Sequence, residues 1–386
     1  MAHALKGDLG TPLADRLVAG LPVIDGEVDA DFLSTALGRA GRPGRVGHLE
    51  ADRLGGGRIS ANVFSLRSDA GAFVLKKFVP EPWRVKLFGT PFNEPALWSR
   101  GLTRNLPAPL SCPTIDVAYH RQRRECWMLM DDVSHGVAPR GTFDEASFRL
   151  LLDGLAHLHA RCWGQTAQQP ELPLLTLDQH TVMFTAPCAA AGGRKVSADW
   201  VAEVLDKVFL FRTYVPVLLD VLGSADGDCY LDLCEHRGRW LAPLSRLPQT
   251  VVHGDIRRAN IAVLPSGGIS LFDWDFAARA PAAADLAHYW FLHFWCYPPN
   301  DGRSPEDRDP LKHYYMQRLG EALGTLDRSE FELAWDLSWL KAFAQVGFCL
   351  ADPLVGEHSA QDVARVRALC RKAIDRAKRI ADAHAG

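Results

Sequence analysis

Four polar residues in one short stretch of this chain have the types and order that group-transfer chemistry requires. They are His253, Asp255, Asn260 and Asp273, within Thr250 to Leu264 and Gly267 to Asp275. Two β-like runs lie here, joined by a Pro-Ser-Gly-Gly turn at 265–268, each beginning or ending beside acidic residues. That layout brings Asp255, Asn260 and Asp273 to one mouth. Phosphoryl transfer needs these groups: a carboxylate to orient a hydroxyl and accept its proton, with an amide oxygen and a second carboxylate for Mg²⁺. The interval from Asp255 to Asn260 is five, the step between Asp and Asn in the H-R-D-x-x-x-x-N loop of protein kinases. Asp275 is an alternative to Asp273 for the metal role but reads better as a support behind it, and His253 reads as a loop support.

The elements around this block fall into two textures. Residues 1–48 read as an N-terminal extension with one short helix from Asp31 to the breaker Gly38, then a 41–44 loop. Residues 49–133 are β-rich. Ile59 to Leu66 and Ala72 to Phe78 flank a polar, Gly-containing turn and predict a hairpin. A helix over 93–100 and strands over 114–119 and 126–130 follow. Residues 134–386 are helical. Thr142 to Glu145 has capping-box spacing, and Phe148, Leu151, Leu152, Leu155 and Leu158 recur on one helical face. Further helices are expected over 199–222, 311–323, 329–348 and 362–383. The fold class is therefore α+β, a small antiparallel β-rich lobe followed by a larger helical lobe.

His253-Gly-Asp255 with Asn260, then Phe272-Asp-Trp-Asp275 and Asp285-Leu-Ala287, resembles the aminoglycoside phosphotransferase and choline kinase-like superfamily, which has a protein-kinase-like fold. The similarity covers residues 49 to about 350 and is strongest in this block. It implies that Asp255 is the catalytic base, that Asn260 and Asp273 bind metal, and that Asp285 anchors the block. Gly55-Gly-Gly57 stands where a phosphate-covering loop would, so Gly56 and Gly57 are expected to approach nucleotide phosphates through backbone N–H groups. Phe73-Val-Leu-Lys76 resembles the V-A-I-K strand, which assigns Lys76 to the phosphates and turns Lys77 to the other face. Glu94 is the expected ion-pair partner of Lys76. Trp127 to Val133 resembles the hinge strand, with the backbone from Asp131 to Val133 against adenine. Relatives often carry His two residues after the catalytic Asp. Here Arg257 stands there, a cation expected beside the transferring phosphoryl group, whose loss should lower turnover more than ATP affinity.

The implied activity is ATP- and Mg²⁺-dependent transfer of the γ-phosphate to a hydroxyl of a small acceptor, as in an antibiotic-modifying aminoglycoside phosphotransferase. The His-Gly-Asp form and the lack of an A-P-E activation segment point away from protein substrates. Other readings stay open: a metabolic kinase of choline-like, amino-sugar or amino-acid alcohols, a nucleotide-binding regulatory module without turnover, or a metal-dependent hydrolase.

Composition bounds these readings. The 386 residues are 47 % hydrophobic and 23 % charged, with a net charge of −3, which suits a globular chain and disfavours nucleic acid as main partner. No apolar run reaches the roughly 18 residues of a membrane span. The stretch from Leu13 to Ile24 is broken by Asp15 and Arg16, so no secretory signal is expected. Nine scattered cysteines without a C-x-x-C pair suit reduced thiols and a cytoplasmic protein; a monomer or homodimer is expected. The aromatic run from His288 to Tyr297 is expected to be mostly core, with some rings available to an acceptor. The basic C-terminal helix, with Arg365, Arg367, Arg371, Lys372, Arg376, Lys378 and Arg379, mildly disfavours a polycationic acceptor.

Overall fold

The computed structural model describes residues 18, 20–42, 44–54, 61–137, 144–164, 172–298 and 304–384. The chain divides into two compact units, one of residues up to Asn105 plus Cys112–Val133, the other of Leu106–Ser111 plus Ser134 onward.

The first unit is built on a six-stranded sheet. Its strands are β1 (Val23–Ile24), β2 (Leu49–Arg53), β3 (Ala61–Ser68) and β4 (Gly71–Phe78), then, past β5 (Leu110–Ser111) of the second unit, β6 (Thr114–His120) and β7 (Glu125–Asp131). The spatial order is β1-β6-β7-β4-β3-β2, antiparallel except for the parallel β1–β6 pair. The predicted hairpin is β3–β4, its turn closed by Asp69 and Ala70, with Gly71 at φ +126°.

Strand alternation sorts β4 onto two faces. Phe73 and Leu75 pack with Leu66, Ile115, Trp127 and Leu129 beneath the Ala30–Arg39 helix, which contributes Leu33, Ala36 and Leu37. Phe78 lies on the opposite face with Phe92, Trp98, Val117 and Met128. The segment read as an extension is thus part of this sheet unit. Its helix is capped by Asp29, whose carboxylate accepts from Phe32 N, and Arg39 pairs with Asp116 at 2.5 Å. An uncovered apolar sheet face would leave Phe73 and Leu75 in water, and the helix removes that cost.

The second unit carries the helices Glu145–Arg161, Leu177–Ala191, Trp200–Lys207, Phe209–Leu222, Ser224–Glu235, Gly238–Arg246, Ala283–Trp290, Asp309–Leu323, Arg328–Val346 and Ala360–Ala383. Val208, at φ −107° and ψ 81°, breaks the single helix expected over 199–222. Thr142 lies outside the described residues; the first helix is capped by Asp144, whose carboxylate accepts from Ser147 N. Two small ladders complete the unit: β8 (Thr250–Val252) against β11 (Ala278–Ala280), and β9 (Ile261–Val263) against β10 (Ile269–Leu271), with β5 parallel to β10.

The aromatic run is core. Every residue from Ala283 to Cys296 is buried, first as α-helix and then as a π-helical segment, Phe291–Cys296. Phe148 stacks on Tyr289 at 4.8 Å, while Trp290 meets Trp335 and Phe291 meets Trp339 edge-on. On the C-terminal helix, Val366, Cys370, Ala373, Ile374, Ala377 and Ile380 face inward and six of the seven basic residues are exposed. Arg376 is half-buried, over Trp339 at 4.9 Å. Among the described residues no helix is long and apolar enough to cross a membrane.

Candidate active site

In the first unit Lys76 points to the face of Phe78, and Nζ lies 2.6 Å from Oε2 of Glu94. Glu94 sits on the first turn of the Asn93–Ser99 helix, and both residues are buried. An ion pair so enclosed is costly unless both charges keep good partners; a cation held at a fixed place suits anionic oxygens. Lys77 takes the opposite face, over Trp127 at 4.0 Å and Phe64 at 4.9 Å, and burial lowers its pKa. Asp131 ends β7, with its N–H donated to Pro113 O and its carboxylate held by both Nη atoms of Arg42 at 2.6 and 2.9 Å. Val133 is the half-buried last residue of this unit. Gly56 and Gly57 lie outside the described residues.

In the second unit the loop after β8 carries Asp255, Arg257 and Asn260 in direct contact. Asn260 Nδ2 donates to Asp255 O at 2.9 Å and to Oδ2 at 3.0 Å. Arg257 Nε reaches the same Oδ2 at 3.0 Å, and 47 % of its side chain stays exposed. Burial alone would raise the Asp255 pKa. The Arg257 charge, then His288 and His253, outweigh burial and hold it well below the usual carboxylate range. The Arg257 guanidinium is held charged mainly by Asp255, with a further contribution from Asp273. Asp273 itself sits in the left-handed region, at φ 66° and ψ 56°, an uncommon conformation for a residue with a Cβ. Its neighbour Phe272 is pinned on both sides: Phe272 N donates to Asn260 O at 3.2 Å, and Phe272 O accepts from His253 Nε2 at 3.1 Å.

The loop is clamped from beneath. Fully buried Asp285 accepts from His253 N at 2.7 Å and from Gly254 N at 2.8 Å. His159 Nε2 donates to Asp285 at 3.2 Å, and Tyr315 O–H donates to the other ring nitrogen of His159. Burial pushes Asp285 up, but His159, His253 and the Gly254 N–H together hold it below its ordinary value. Gly254 is at φ +84°, and a Cβ there would stand 2.0 Å from Phe276 O, so this position admits only glycine. A third line of bonds reaches Gly254 O. Buried Lys341 donates to Gln345 Oε1 at 2.7 Å, Gln345 Nε2 donates to His180, and His180 Nε2 donates to Gly254 O at 2.9 Å.

His253 has the supporting place expected of it. Its Nδ1 accepts from Asp255 N at 3.3 Å and its ring packs on Trp274, with centroids 4.5 Å apart. His288, His180 and His159 reach Asp255, Gly254 and Asp285 respectively; of the three, the sequence singles out only His288, as part of the aromatic run. For His288 a signal existed, since it follows Asp285 by three residues and so shares its helical face. His180 and His159 lie 75 and 96 residues before Asp255, and only tertiary contact reveals them.

Asn260 and Asp273 are the candidate oxygen donors for a hard cation: with Nδ2 turned toward Asp255, the Asn260 amide oxygen lies on its other side, and Asp273 would supply a carboxylate. Among the described residues no group of three or more His, Cys, Asp or Glu side chains is arranged to hold a metal; two oxygen donors completed by phosphate oxygens and water is the usual habit of Mg²⁺.

The chain is similar to several solved structures. Spectinomycin phosphotransferase, APH(9)-Ia, solved in complex with ADP and spectinomycin, is 12 % identical, with 92 % of this chain and 99 % of that one covered and a TM-score of 0.48. Choline kinase LicA from Streptococcus pneumoniae is 13 % identical over 89 % and 98 %, with a TM-score of 0.45. Ethanolamine kinase from Plasmodium vivax is 12 % identical over 85 % and 81 %, with a TM-score of 0.41. No curated protein sequence matches significantly. The family model described as phosphotransferase enzyme family matches residues 50–315, a span containing Lys76, Glu94, Asp255, Asn260, Asp273 and Asp285. On that match the chain belongs to the phosphotransferase enzyme family.

Proposed function

We propose that this phosphotransferase moves the γ-phosphate of ATP to a hydroxyl of a small-molecule acceptor, with Mg²⁺ as its metal. The observation that carries the reading is the division of labour on Asp255. Oδ2 is occupied by Arg257 and Asn260, which leaves Oδ1 to receive the acceptor hydroxyl. A carboxylate held far below its usual range stays ionised, and a fixed anion orients a hydroxyl for in-line attack. Orientation is the larger need, because the transition state of phosphoryl transfer is loose. The hydroxyl oxygen gives up its proton along its hydrogen bond to Oδ1 and bonds to the γ-phosphorus, the bond to the β–γ bridging oxygen breaks, and ADP leaves with that electron pair.

Lys76, held by Glu94, is assigned to the nucleotide phosphates, and Arg257 to the charge on the group in transfer. Gly56, Gly57 and the backbone from Asp131 to Val133 are assigned to the nucleotide through the family resemblance. Asn260 and Asp273 would hold Mg²⁺, which when bound neutralises phosphate charge.

The test is Mg²⁺-dependent ADP release against aminoglycosides, macrolides, choline analogues, amino sugars and amino-acid alcohols. Stimulation by one class, absent without Mg²⁺, supports the reading and identifies the acceptor class. Nucleotide binding with no stimulation by any class favours a regulatory module.

A further inference from the structure

His288 is buried on the helix Ala283–Trp290, three residues beyond Asp285. Asp285 is fixed to the catalytic loop by His253 N and Gly254 N, which sets the register of its helix against that loop. This register brings His288 Nε2 to 3.4 Å from Asp255 Oδ1, the oxygen that neither Arg257 nor Asn260 occupies. Neither ring nitrogen of His288 makes a well-formed hydrogen bond to the described residues. Buried polar atoms are normally satisfied, and one left open beside a reactive carboxylate has the placement of a working group. The π-helical segment that begins at Phe291 follows directly, a local irregularity found often at functional sites.

We infer that His288 is the proton-accepting partner of Asp255: the acceptor hydroxyl hydrogen-bonds to Oδ1, and its proton passes to Nε2 of His288. This rests on the phosphotransfer reading given above. The O–H bond breaks as the oxygen bonds to the γ-phosphorus, ADP takes the electron pair of the broken P–O bond, and the proton ends on the imidazole. The Asp255 carboxylate then faces the imidazolium that forms, and their opposite charges favour that outcome. The other charged or titratable groups at this level are Arg257 and His253 on the loop, Asp273 beyond β10, Asp285 on the same helix, His159 on Glu145–Arg161, His180 on Leu177–Ala191, Lys341 on Arg328–Val346 and Cys349 after that helix.

The test uses single-turnover hydrolysis of Mg·ATP, with water as the acceptor, in the unaltered protein, His288→Gln, His288→Ala and Asp255→Asn. The unaltered rate should fall on the acid side. Both His288 variants should lose about 100-fold or more and lose that acid limb, with the ATP dissociation constant unchanged within about twofold. Added imidazole should restore part of the rate in His288→Ala. Rates within about threefold of the unaltered protein in either His288 variant would overturn the inference. So would a loss that keeps the original pH profile and is not rescued. Should neither variant fold, the unaltered protein decides: a rate flat from about pH 5 to 9 contradicts the proposal. If Asp255→Asn abolishes turnover while His288→Ala does not, this inference alone falls. If ADP is never formed from ATP, with water or any acceptor, the phosphotransfer reading falls with it.

Discussion

Asn260 reaches back to Asp255 with one amide nitrogen and holds it twice, through the main-chain oxygen at 2.9 Å and through Oδ2 at 3.0 Å. The five-residue interval visible in the sequence is thus a closed ring of contacts. Asn260→Ala would leave a buried carbonyl and a carboxylate oxygen without this donor, at a cost of about 1–3 kcal/mol. Denaturant unfolding should show that loss, and ADP release should fall about 100-fold or more. A variant as active as the unaltered protein would contradict the arrangement.

Gly254→Ala should be far more damaging than its size suggests. The new Cβ would lie 2.0 Å from Phe276 O and 2.8 Å from Phe276 C, in a backbone conformation at φ +84°. Both obstacles are backbone, so no side chain can swing away. The expected loss exceeds about 3 kcal/mol, read as a fall in Tm or as insoluble protein. An unchanged Tm would show that this loop is looser than described.

Asp285 makes stability depend on acid pH. Its folded pKa lies below the ordinary 3.8 because His159, His253 and the Gly254 N–H outweigh burial. A depressed carboxylate stabilises the fold above its unfolded pKa and loses that contribution as pH falls toward the folded value. Asp285→Asn puts an N–H₂ group against a backbone N–H and should cost about 3–5 kcal/mol at pH 7. The gap between the two proteins should narrow below about pH 4. A gap that stays constant down to acid pH would contradict an ionised Asp285.

Lys341 acts in the opposite pH range. Burial lowers its pKa from 10.5 to about 7, against a small opposing pull from Asp285. Between those values the unfolded chain binds more protons than the folded one, so stability rises with pH from about 7 toward 10.5. Lys341→Met should therefore be the more stable protein at pH 7, by up to about 4 kcal/mol less the lost bond to Gln345. Its advantage should shrink as the pH rises. Thermal melts at pH 7 and about pH 9.5 check this; a variant less stable at both would mean that the Lys341–Gln345–His180 line outweighs burial of the charge.

The legible parts of this molecule are those that local chemistry dictates. Alternation along Phe73 to Phe78 separates Lys76 from Lys77, and the two side chains do take opposite faces. Glu94 meets Lys76 although nothing in the register of its short helix demanded it. The turn at 265–268 joins β9 and β10. Other features escaped for physical reasons. The helix Ala30–Arg39 reads alone as a surface piece, because its partner face is made of strands up to 99 residues away. The helix Leu177–Ala191 went unread despite the capping box of Thr176 and Gln179, since Pro187 and a nearly all-round apolar surface blur its period. His159 and His180 meet the loop through contacts that only the folded chain creates, whereas His288 follows Asp285 by three residues on one helical face.

The most direct test of the central claim is single-turnover transfer from γ-labelled Mg·ATP to the acceptor found in the panel, comparing the unaltered protein with Asp255→Asn. Asp255→Asn keeps size and burial but removes the anion that orients the hydroxyl. The account predicts label in the acceptor with the unaltered protein and a rate about 1,000-fold or more lower in Asp255→Asn, with ATP binding retained. Transfer at a near-normal rate by Asp255→Asn would contradict it.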